Sequence, residues 1–187
     1  MGEWDAETAE WYAKTYGEYA TCRLAVDAME IAPDAVIVDV GCGTGAALRH
    51  VACRVPDGTL IGTDPTPRMV EIARERAASH PEGARIDFRE GPAEKLPVDD
   101  ASADIVLAFD SIDHWQNQER GLAEIRRVLK PGGQLAVVKD DGVSGGAEAR
   151  RAFLDGLAAS GFDVTSERAI EGEDVSFTMW LCAEGLD

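Results

Sequence analysis

The chain lacks the paired cysteines that mark zinc sites and small disulfide-linked domains. Its four cysteines form no Cys-x-x-Cys pair, and the spacing of His50 and Cys53 has no second ligand pair to complete a zinc site. Structural zinc sites combine four such ligands, usually as two short pairs. We therefore expect free thiols in a reducing compartment and no bound metal, including at the adjacent loop acids Asp140 and Asp141.

The chain also lacks long apolar runs and an excess of positive charge. No apolar stretch approaches the roughly 20 residues that cross a bilayer. The acidic start "MGEWDAETAEW" has no apolar core of a signal peptide. The net charge of -17 repels nucleic acid phosphates and anionic lipid surfaces. These absences predict a cytoplasmic protein that binds neither nucleic acid nor membranes.

What the chain does contain is a regular alternation of strand-like and helix-like segments from residue 35 onward. Strands are predicted at residues 35–40, 59–64, 84–90, 103–110, 134–140, 162–167 and 175–184. Helices are predicted at residues 45–55, 66–79, 121–130 and 147–160, the third one closed by "PGG" at 131–133. This alternation predicts an open parallel sheet. The last two strands, joined by residues 168–174 without a helix, predict an antiparallel hairpin at one edge.

The first thirty residues differ, because aromatic side chains recur there at steps of three and four. This pattern predicts a helical stripe formed by Trp4, Thr8, Trp11, Tyr12, Thr15, Tyr16, Tyr19, Arg23 and Val26. The stripe either packs on the domain or forms a lid whose rings line a pocket at the strand ends, and the two roles are compatible. An exposed aromatic lid would suit a homodimer as well as a monomer.

A glycine-rich turn, "VDVGCGTG", follows the first strand. In open α/β sheets, ligands bind at the carboxyl ends of the strands, and glycines let the backbone approach them. The second strand ends at Asp64, about twenty residues after the turn, where an acidic side chain accepts hydrogen bonds from ribose hydroxyls. The two features together predict a cofactor that contains a nucleoside.

The residues around the turn leave two such cofactors open. Gly41, Gly43 and Ala46 satisfy the dinucleotide pattern G-x-G-x-x-G/A, which favours a nicotinamide cofactor. Asp39, immediately before the turn, would repel a pyrophosphate but would suit the ammonium group of S-adenosylmethionine. The carboxylate therefore favours the methyl donor.

Four segments occur in order: "VIVDVGCGTG", "GTDPTPRMVEIARERA", "FREGPAEKLPVDDASADIVLAFDSIDHW" and "LAEIRRVLKPGGQLAVV". Together they resemble the class I S-adenosylmethionine-dependent methyltransferases of the small-molecule type, over residues 36 to about 138. The resemblance implies a three-layer, Rossmann-like, mostly parallel sheet of seven strands in the order 3-2-1-4-5-7-6, with strand 7 antiparallel. Residues 1–187 are then a single domain, with a helical lid at 1–33 and a core at 34–187.

The resemblance also implies roles for individual residues. Asp39 would contact the methionine end of the donor, directly or through water, and Asp64 would bind the ribose hydroxyls. The backbone of Gly41, Cys42 and Gly43 would lie against the methionine end, and Gly45 would open the next helix. The adenine would meet Pro65 and the backbone of Ala93, near Glu94. The transferable methyl would lie beside Phe109, Asp110 and Ser111, and the N-terminal tyrosine that covers the donor would be Tyr12 or Tyr16.

The chain departs from the family pattern at three positions. Pro92 replaces an Asp that binds the adenine amino group in relatives, so that interaction is either absent here or made by Glu94. Val98 replaces the usual Phe, and Asp113 replaces the first residue of a His-His pair, so only His114 remains. The segment after the fifth strand is short, so the acceptor pocket is expected to depend on the lid, a second subunit, or both.

These observations predict in-line methyl transfer from S-adenosylmethionine to the oxygen, nitrogen or carbon of a small-molecule acceptor. His114 is the candidate general base, for acceptors that must lose a proton early. Asp110 and Asp113 either attract a cationic amine or cap the following helix. Two alternatives are a protein that binds the donor without catalysing transfer by itself and, more remotely, a nicotinamide-dependent oxidoreductase.

Overall fold

A seven-stranded mixed sheet forms the centre of the molecule. The computed structural model describes residues 4–140 and 146–185. The strands are β1 (Val36–Val40), β2 (Thr59–Asp64), β3 (Ile86–Glu90), β4 (Ala103–Phe109), β5 (Leu129–Asp140), β6 (Phe162–Gly172) and β7 (Val175–Glu184). Their order is β3-β2-β1-β4-β5-β7-β6, and β7 runs antiparallel to β5 and to β6. This confirms the predicted strand order and the antiparallel edge hairpin.

Helices cover both faces of the sheet. They are α1 (Ala6–Tyr16), α2 (Ala20–Asp27), α3 (Ala46–Ala52), α4 (Pro67–Ala78), α5 (Gln118–Val128) and α6 (Gly146–Ala159). In β1, Ile37 packs in a core with α2, α3 and α4, whereas its neighbour Val38 packs in a core with α5 and α6. Successive side chains of a strand point to opposite faces, and strands buried on both faces need the nearly continuous apolar sequence seen here. The three-layer prediction is confirmed.

The boundary between α5 and β5 differs from the prediction. The helix ends at Val128, and the "PGG" segment lies inside β5 instead of closing the helix. Leu129 already pairs with Ala103 of β4, and the ladder is then irregular up to Gln134. Pairing with a distant strand therefore converts the predicted end of the helix into the start of a strand.

The final hairpin is longer than predicted. Strand β6 continues to Gly172, so the expected connection over residues 168–174 shrinks to Glu173 and Asp174. Both residues have positive φ, 50° and 64°, as the central residues of a type I′ turn require. The antiparallel partner β7 supplies the hydrogen bonds that extend β6 beyond its own apolar residues.

The N-terminal segment forms two helices rather than one continuous stripe. The chain breaks between α1 and α2 at Gly17, whose carbonyl accepts hydrogen bonds from Thr44 Oγ1, 2.6 Å away, and from Arg76. The fully packed face of α1 carries the small residues Ala9 and Ala13, not the predicted rings. Trp11, Tyr16 and Tyr19 are exposed instead, as a chain of edge contacts along the surface. Among the described residues, no helix is long and apolar enough to cross a bilayer.

Candidate functional site

Two adjoining cavities open at the carboxyl edge of β1, β2 and β4. The inner cavity holds eleven of the predicted site residues: Tyr12, Gly41, Gly43, Asp64, Pro65, Ala93, Glu94, Phe109, Asp110, Ser111 and His114. The outer cavity adds Tyr16 and Cys42 and lies between α1, α2 and α6. Two predicted residues, Asp39 and Gly45, line neither cavity. Asp39 is buried near the end of β1, and Gly45 lies beside the Phe88 ring. The structure thus gathers residues from five separate segments at one edge of the sheet.

Backbone geometry explains why glycine occupies three positions of the turn. Gly41, Gly43 and Gly45 all have positive φ, between 52° and 74°, a region that side chains with a Cβ rarely occupy. At Gly43 nothing lies within 4 Å of the position of a Cβ, so the backbone there is open to the cavities. At Gly45 a Cβ would lie 2.6 Å from the Phe88 ring, so this glycine serves helix packing rather than a ligand.

Asp64 ends β2 with its carboxylate at the wall of the inner cavity. One carboxylate oxygen accepts a hydrogen bond from the Gly43 N–H at 3.1 Å, and the other from the Thr66 N–H at 2.9 Å. Burial raises the pKa of the Asp64 carboxyl, and these hydrogen bonds oppose that rise. A carboxylate has about four lone-pair sites, so Asp64 can join the glycine turn to β2 and still accept hydrogen bonds from a ligand.

Asp39 is the most strongly perturbed carboxyl of the site. Asp39 is only 3% exposed and lies one position before the end of β1. Burial, with a further contribution from the charge of Asp64, raises its pKa to about 7. Buried carboxyls favour the neutral form unless a cation or hydrogen-bond donors compensate. A cationic ligand group at this place would therefore relieve the burial of the charge.

Cys42 is buried beside the same two carboxyls, which keep its thiol protonated. Burial first, and then the charges of Asp39 and Asp64, raise its pKa well above the usual value for cysteine. A nucleophilic cysteine needs a lowered pKa. Cys42 therefore contributes backbone and packing to the turn, and covalent chemistry at its sulfur is disfavoured.

The far wall of the inner cavity comes from the segment that follows β3 and from the start of α5. Ala93 is buried in this wall, beside the half-buried Glu94. Glu94 Oε1 accepts a hydrogen bond from the Asn117 N–H at 2.7 Å, so one of its oxygens is already used to hold the entry of α5. Trp115 lies in the same wall, and its indole N–H is buried without a hydrogen-bond partner.

Six residues border both cavities: Tyr12, Gly41, Gly43, Phe109, Asp110 and His114. Asp110 directly follows β4 and adopts a positive φ of 48°, an uncommon conformation for a residue with a side chain, which tends to occur at functional sites. His114 packs edge-on against the Trp4 ring at 5.9 Å, and its Nδ1 is buried without a partner. The place where the cavities meet is thus a small group of rings and one acidic side chain.

The outer cavity contains an ion pair that sequence analysis did not predict. Lys139, near the end of β5, is only 8% exposed, and its Nζ lies 2.8 Å from both carboxylate oxygens of Asp113. The ammonium also lies 4.8 Å from the centre of the Phe153 ring. Asp113 therefore does not cap α5; that role belongs to Asn117, which accepts the Arg120 N–H at 2.9 Å.

Sequence analysis also missed residues that close the inner cavity. Trp4 covers it: the Trp4 backbone N–H donates to Thr66 Oγ1 at 3.1 Å, and the centre of its ring lies 4.7 Å from that of Tyr12. Trp4 was placed in the aromatic stripe but not in the site. A lysine at the end of an otherwise apolar strand was a usable signal for Lys139. No sequence signal indicated Trp115. Its indole packs against Gly121, where a Cβ would lie 2.4 Å from the ring, and this contact is visible only in the folded structure.

No group of three or more His, Cys, Asp or Glu residues is arranged to hold a metal ion within the described part of the chain. Asp141 and the side chain of Asp140, for which no metal was expected, lie outside the described residues.

Comparison with known proteins agrees with the fold. A family model described as "Methyltransferase domain" matches residues 38–137. The chain is 34% identical over 118 residues to the ubiquinone/menaquinone biosynthesis C-methyltransferase UbiE of Geotalea daltonii, which covers 63% of this chain and 50% of that protein. It is 33% identical over 131 residues to an O-methyltransferase of Pyrenophora dematioidea, which covers 67% and 49%.

The structure of a SAM-dependent methyltransferase of Aquifex aeolicus superposes with a TM-score of 0.76 at 18% identity, over 96% of this chain and 99% of that one. The chain spans half or less of the length of the curated relatives named above. The matched family model nevertheless covers more than half of this chain, and it includes the glycine turn and the ends of β1, β2 and β4. The chain therefore belongs to the class I S-adenosylmethionine-dependent methyltransferases.

Proposed function

We propose that this chain transfers the methyl group of S-adenosylmethionine to a small-molecule acceptor, at an oxygen, nitrogen or carbon atom. The observation that carries this proposal is the pair of cavities that meet at Phe109 and Asp110. The inner one has the two buried carboxyls and the open glycine backbone nearby. The outer one is lined by rings and an ion pair. Two reactants need two adjoining compartments with a shared boundary.

The residues of the inner cavity and of the adjoining glycine turn and β1 end suit the chemical groups of the donor. Asp39 would hold the donor's ammonium, against the backbone of the turn formed by Gly41, Cys42 and Gly43, with Gly45 allowing α3 to begin. Asp64 would accept hydrogen bonds from the ribose hydroxyls. The open space at the Cβ position of Gly43 leaves room for a ligand there. A dinucleotide would instead place a pyrophosphate near two buried carboxyls, which disfavours a nicotinamide cofactor.

The other walls of the site would orient the two reactants. We assign Pro65, Ala93 and Glu94 to the adenine side, and Phe109, Asp110 and Ser111 to the transferred methyl. S-adenosylmethionine supplies a methyl group that is already activated by its sulfonium. The protein is then required mainly to align the acceptor and exclude water, and alignment of this kind contributes several kcal/mol.

The residues around the shared boundary would serve as a lid and, where needed, as a base. Tyr12 and Trp4 would cover the donor from the N-terminal side, and Tyr16 would face the acceptor. His114 borders both cavities, so it is in place to take a proton from an acceptor that must lose one. We further propose that the protein acts in the cytoplasm, as one domain with residues 1–33 as lid, in a monomer or a homodimer.

Relatives support a small-molecule acceptor. The two named above are a C-methyltransferase of quinone biosynthesis and an O-methyltransferase. The net charge of -17 gives no attraction for a nucleic acid substrate.

Calorimetric titration with S-adenosylhomocysteine, followed by measurement of donor turnover against a panel of acceptors, tests the proposal. We expect the wild type to bind this product and Asp64→Ala to lose at least tenfold in affinity, since two or more hydrogen bonds to a charged group are removed. Asp57→Ala is the matched control, because Asp57 is exposed and precedes β2 at the opposite edge of the sheet.

Three results would count against the proposal. No binding of S-adenosylhomocysteine would reject the donor site. Enhancement of NADH fluorescence on binding would instead favour the oxidoreductase. Binding without turnover of S-adenosylmethionine on any acceptor, with or without candidate partner subunits, would favour a donor-binding protein that does not catalyse transfer.

A further inference from the structure

We infer that the acceptor is a neutral aromatic molecule with a ring hydroxyl, and that Lys139 and Asp113 together bind this hydroxyl. The inference rests on the proposed function, because it assigns the substrate of the outer cavity. Its basis is the combination of a ladder of rings with one ion pair in the lining of that cavity.

The rings favour a flat apolar acceptor. Tyr12, Tyr16, Tyr19 and Phe153 all line the outer cavity. The ring centres of Tyr12 and Tyr16 are 5.2 Å apart, and those of Tyr16 and Tyr19 are 5.4 Å apart. Tyr16 and Tyr19 leave 39% and 47% of their surface exposed. Aromatic rings pair in tilted or offset arrangements with centre distances of about 4.5 to 7 Å, so a further ring can continue this ladder into the cavity.

The charges that face the outer cavity favour an acceptor without net charge. Among the residues that the structure describes, two carboxylates, Asp110 and Asp113, and one ammonium, Lys139, line it. The sulfonium of a bound donor would add one positive charge at the boundary with the inner cavity, which makes the sum neutral. A cationic amine would have to approach Lys139, and an anion would have to approach both carboxylates, and each approach between like charges is unfavourable.

The ion pair itself presents a donor and an acceptor to one small polar group. Lys139 is held by Asp113 on one side and by the Phe153 ring on another, so its ammonium is fixed in direction despite the flexible side chain. A hydroxyl is the common group that can accept from an ammonium and donate to a carboxylate at once. An ether, a halide or a hydrocarbon can satisfy at most one of the two.

The same arrangement fits the proton balance of methyl transfer to oxygen. One O–C bond forms, one C–S bond breaks with its electron pair going to sulfur, and the hydroxyl proton is released. Lys139 favours the oxyanion form of the hydroxyl. For a hydroxyl bound at this ion pair, the carboxylate of Asp113, rather than His114, is in place to accept the proton. The Asp113 side chain is 58% exposed, so the proton can pass on to water.

Three probes of equal ring area test the inference: 2-naphthol, 2-naphthoate and 2-naphthylmethylamine. Each is titrated into the wild-type protein saturated with sinefungin, an unreactive donor analogue whose side-chain ammonium supplies the positive charge of the sulfonium. We expect 2-naphthol to bind at least about tenfold more tightly than the anion or the cation, as one charge-assisted hydrogen bond provides. Tightest binding of the amine or of the carboxylate would overturn the inference, and so would equal affinity for all three.

Variants then locate the hydroxyl. Lys139→Met and Asp113→Asn should each weaken 2-naphthol binding about tenfold, with affinity for S-adenosylhomocysteine unchanged. Lys130→Met is the matched control, because Lys130 forms a similar 2.8 Å ion pair with Asp104 at the opposite end of β4 and β5. An unchanged affinity for 2-naphthol in both variants that still bind S-adenosylhomocysteine would overturn the inference. Failure of the wild type to bind S-adenosylhomocysteine would reject the proposed function itself, which keeps the two failures apart.

Discussion

Replacement of Asp39 by asparagine is expected to stabilise the donor-free protein above pH 7 while it weakens donor binding. The pKa of the Asp39 carboxyl rises from 3.8 to about 7 through burial and the charge of Asp64. At about 1.4 kcal/mol for each tenfold change, the charged carboxylate costs the folded state about 4 kcal/mol. Because the folded state holds this proton more tightly than the unfolded chain, the cost is absent below pH 4, grows between pH 4 and 7, and is complete above pH 7.

Urea denaturation of the wild type and of Asp39→Asn at pH 5 and pH 8 measures this effect. The free energy of unfolding of the variant, relative to the wild type, should rise by about 2–3 kcal/mol between the two pH values. A buried amide without full hydrogen bonding lowers the absolute stability of the variant by about 1–3 kcal/mol, but that loss does not depend on pH. Asp57→Asn, at an exposed site, is the control and should show no such trend.

Donor binding gives an independent readout of the same carboxyl. The ammonium of S-adenosylhomocysteine would favour the charged form of Asp39, so the affinity of the wild type should increase as the pH rises from 6 to 8. The affinity of Asp39→Asn should be lower and flat over that range. A stability difference that does not change with pH, together with an affinity that does not change either, would refute the reasoning that Asp39 is buried with a raised pKa.

Two further substitutions probe the turn and the lid. Gly41→Ala should lower the free energy of unfolding by about 1–3 kcal/mol more than Gly43→Ala. Both glycines have positive φ, but only at position 41 would the new Cβ lie 2.5 Å from another side chain. Equal losses in urea denaturation would contradict this packing. Glu18→Gln should cost about 1–3 kcal/mol, because Glu18 pairs at 2.6 Å with the buried Arg49. Glu71→Gln, at an exposed ion pair, should cost less than about 1 kcal/mol, and a larger loss there than at position 18 would show that burial of the arginine does not matter.

The parallel sheet, its edge hairpin and the edge that carries the candidate site were predictable from local patterns, whereas the strand order came from the resemblance to a known family. Short apolar segments such as residues 35–40 and 103–110 must be buried on both faces, and their alternation with helices leaves few topologies. The glycine turn and Asp64 each end a parallel strand, so they had to meet at one edge of the sheet. The position of Asp39 near this edge was predictable in the same way, because it also lies near the end of a parallel strand. Its raised pKa was not, because it depends on how deeply the surrounding elements bury the side chain.

The helix and strand boundaries were less predictable, because distant partners determine them. Leu129 joins β5 through Ala103, although its own sequence neighbourhood continues a helix. The aromatic residues of the N-terminal segment have helical spacing, yet the segment divides at Gly17, where Thr44 and Arg76 bind the free carbonyl. Periodicity reports which face of a helix is apolar, but it does not report where another segment supplies hydrogen bonds.

The sequence by itself therefore determined the sheet, its edge hairpin and the edge at which the candidate site residues gather, since these follow from apolar periodicity and the positions of glycines and acids. Only the tertiary structure decided the outer cavity. Lys139 and Asp113 are 26 residues apart and belong to different segments, and Phe153 comes from a third. Their meeting depends on the packing of β5, α6 and the turn before α5, and no local pattern carries information about the proximity of segments so distant in the chain.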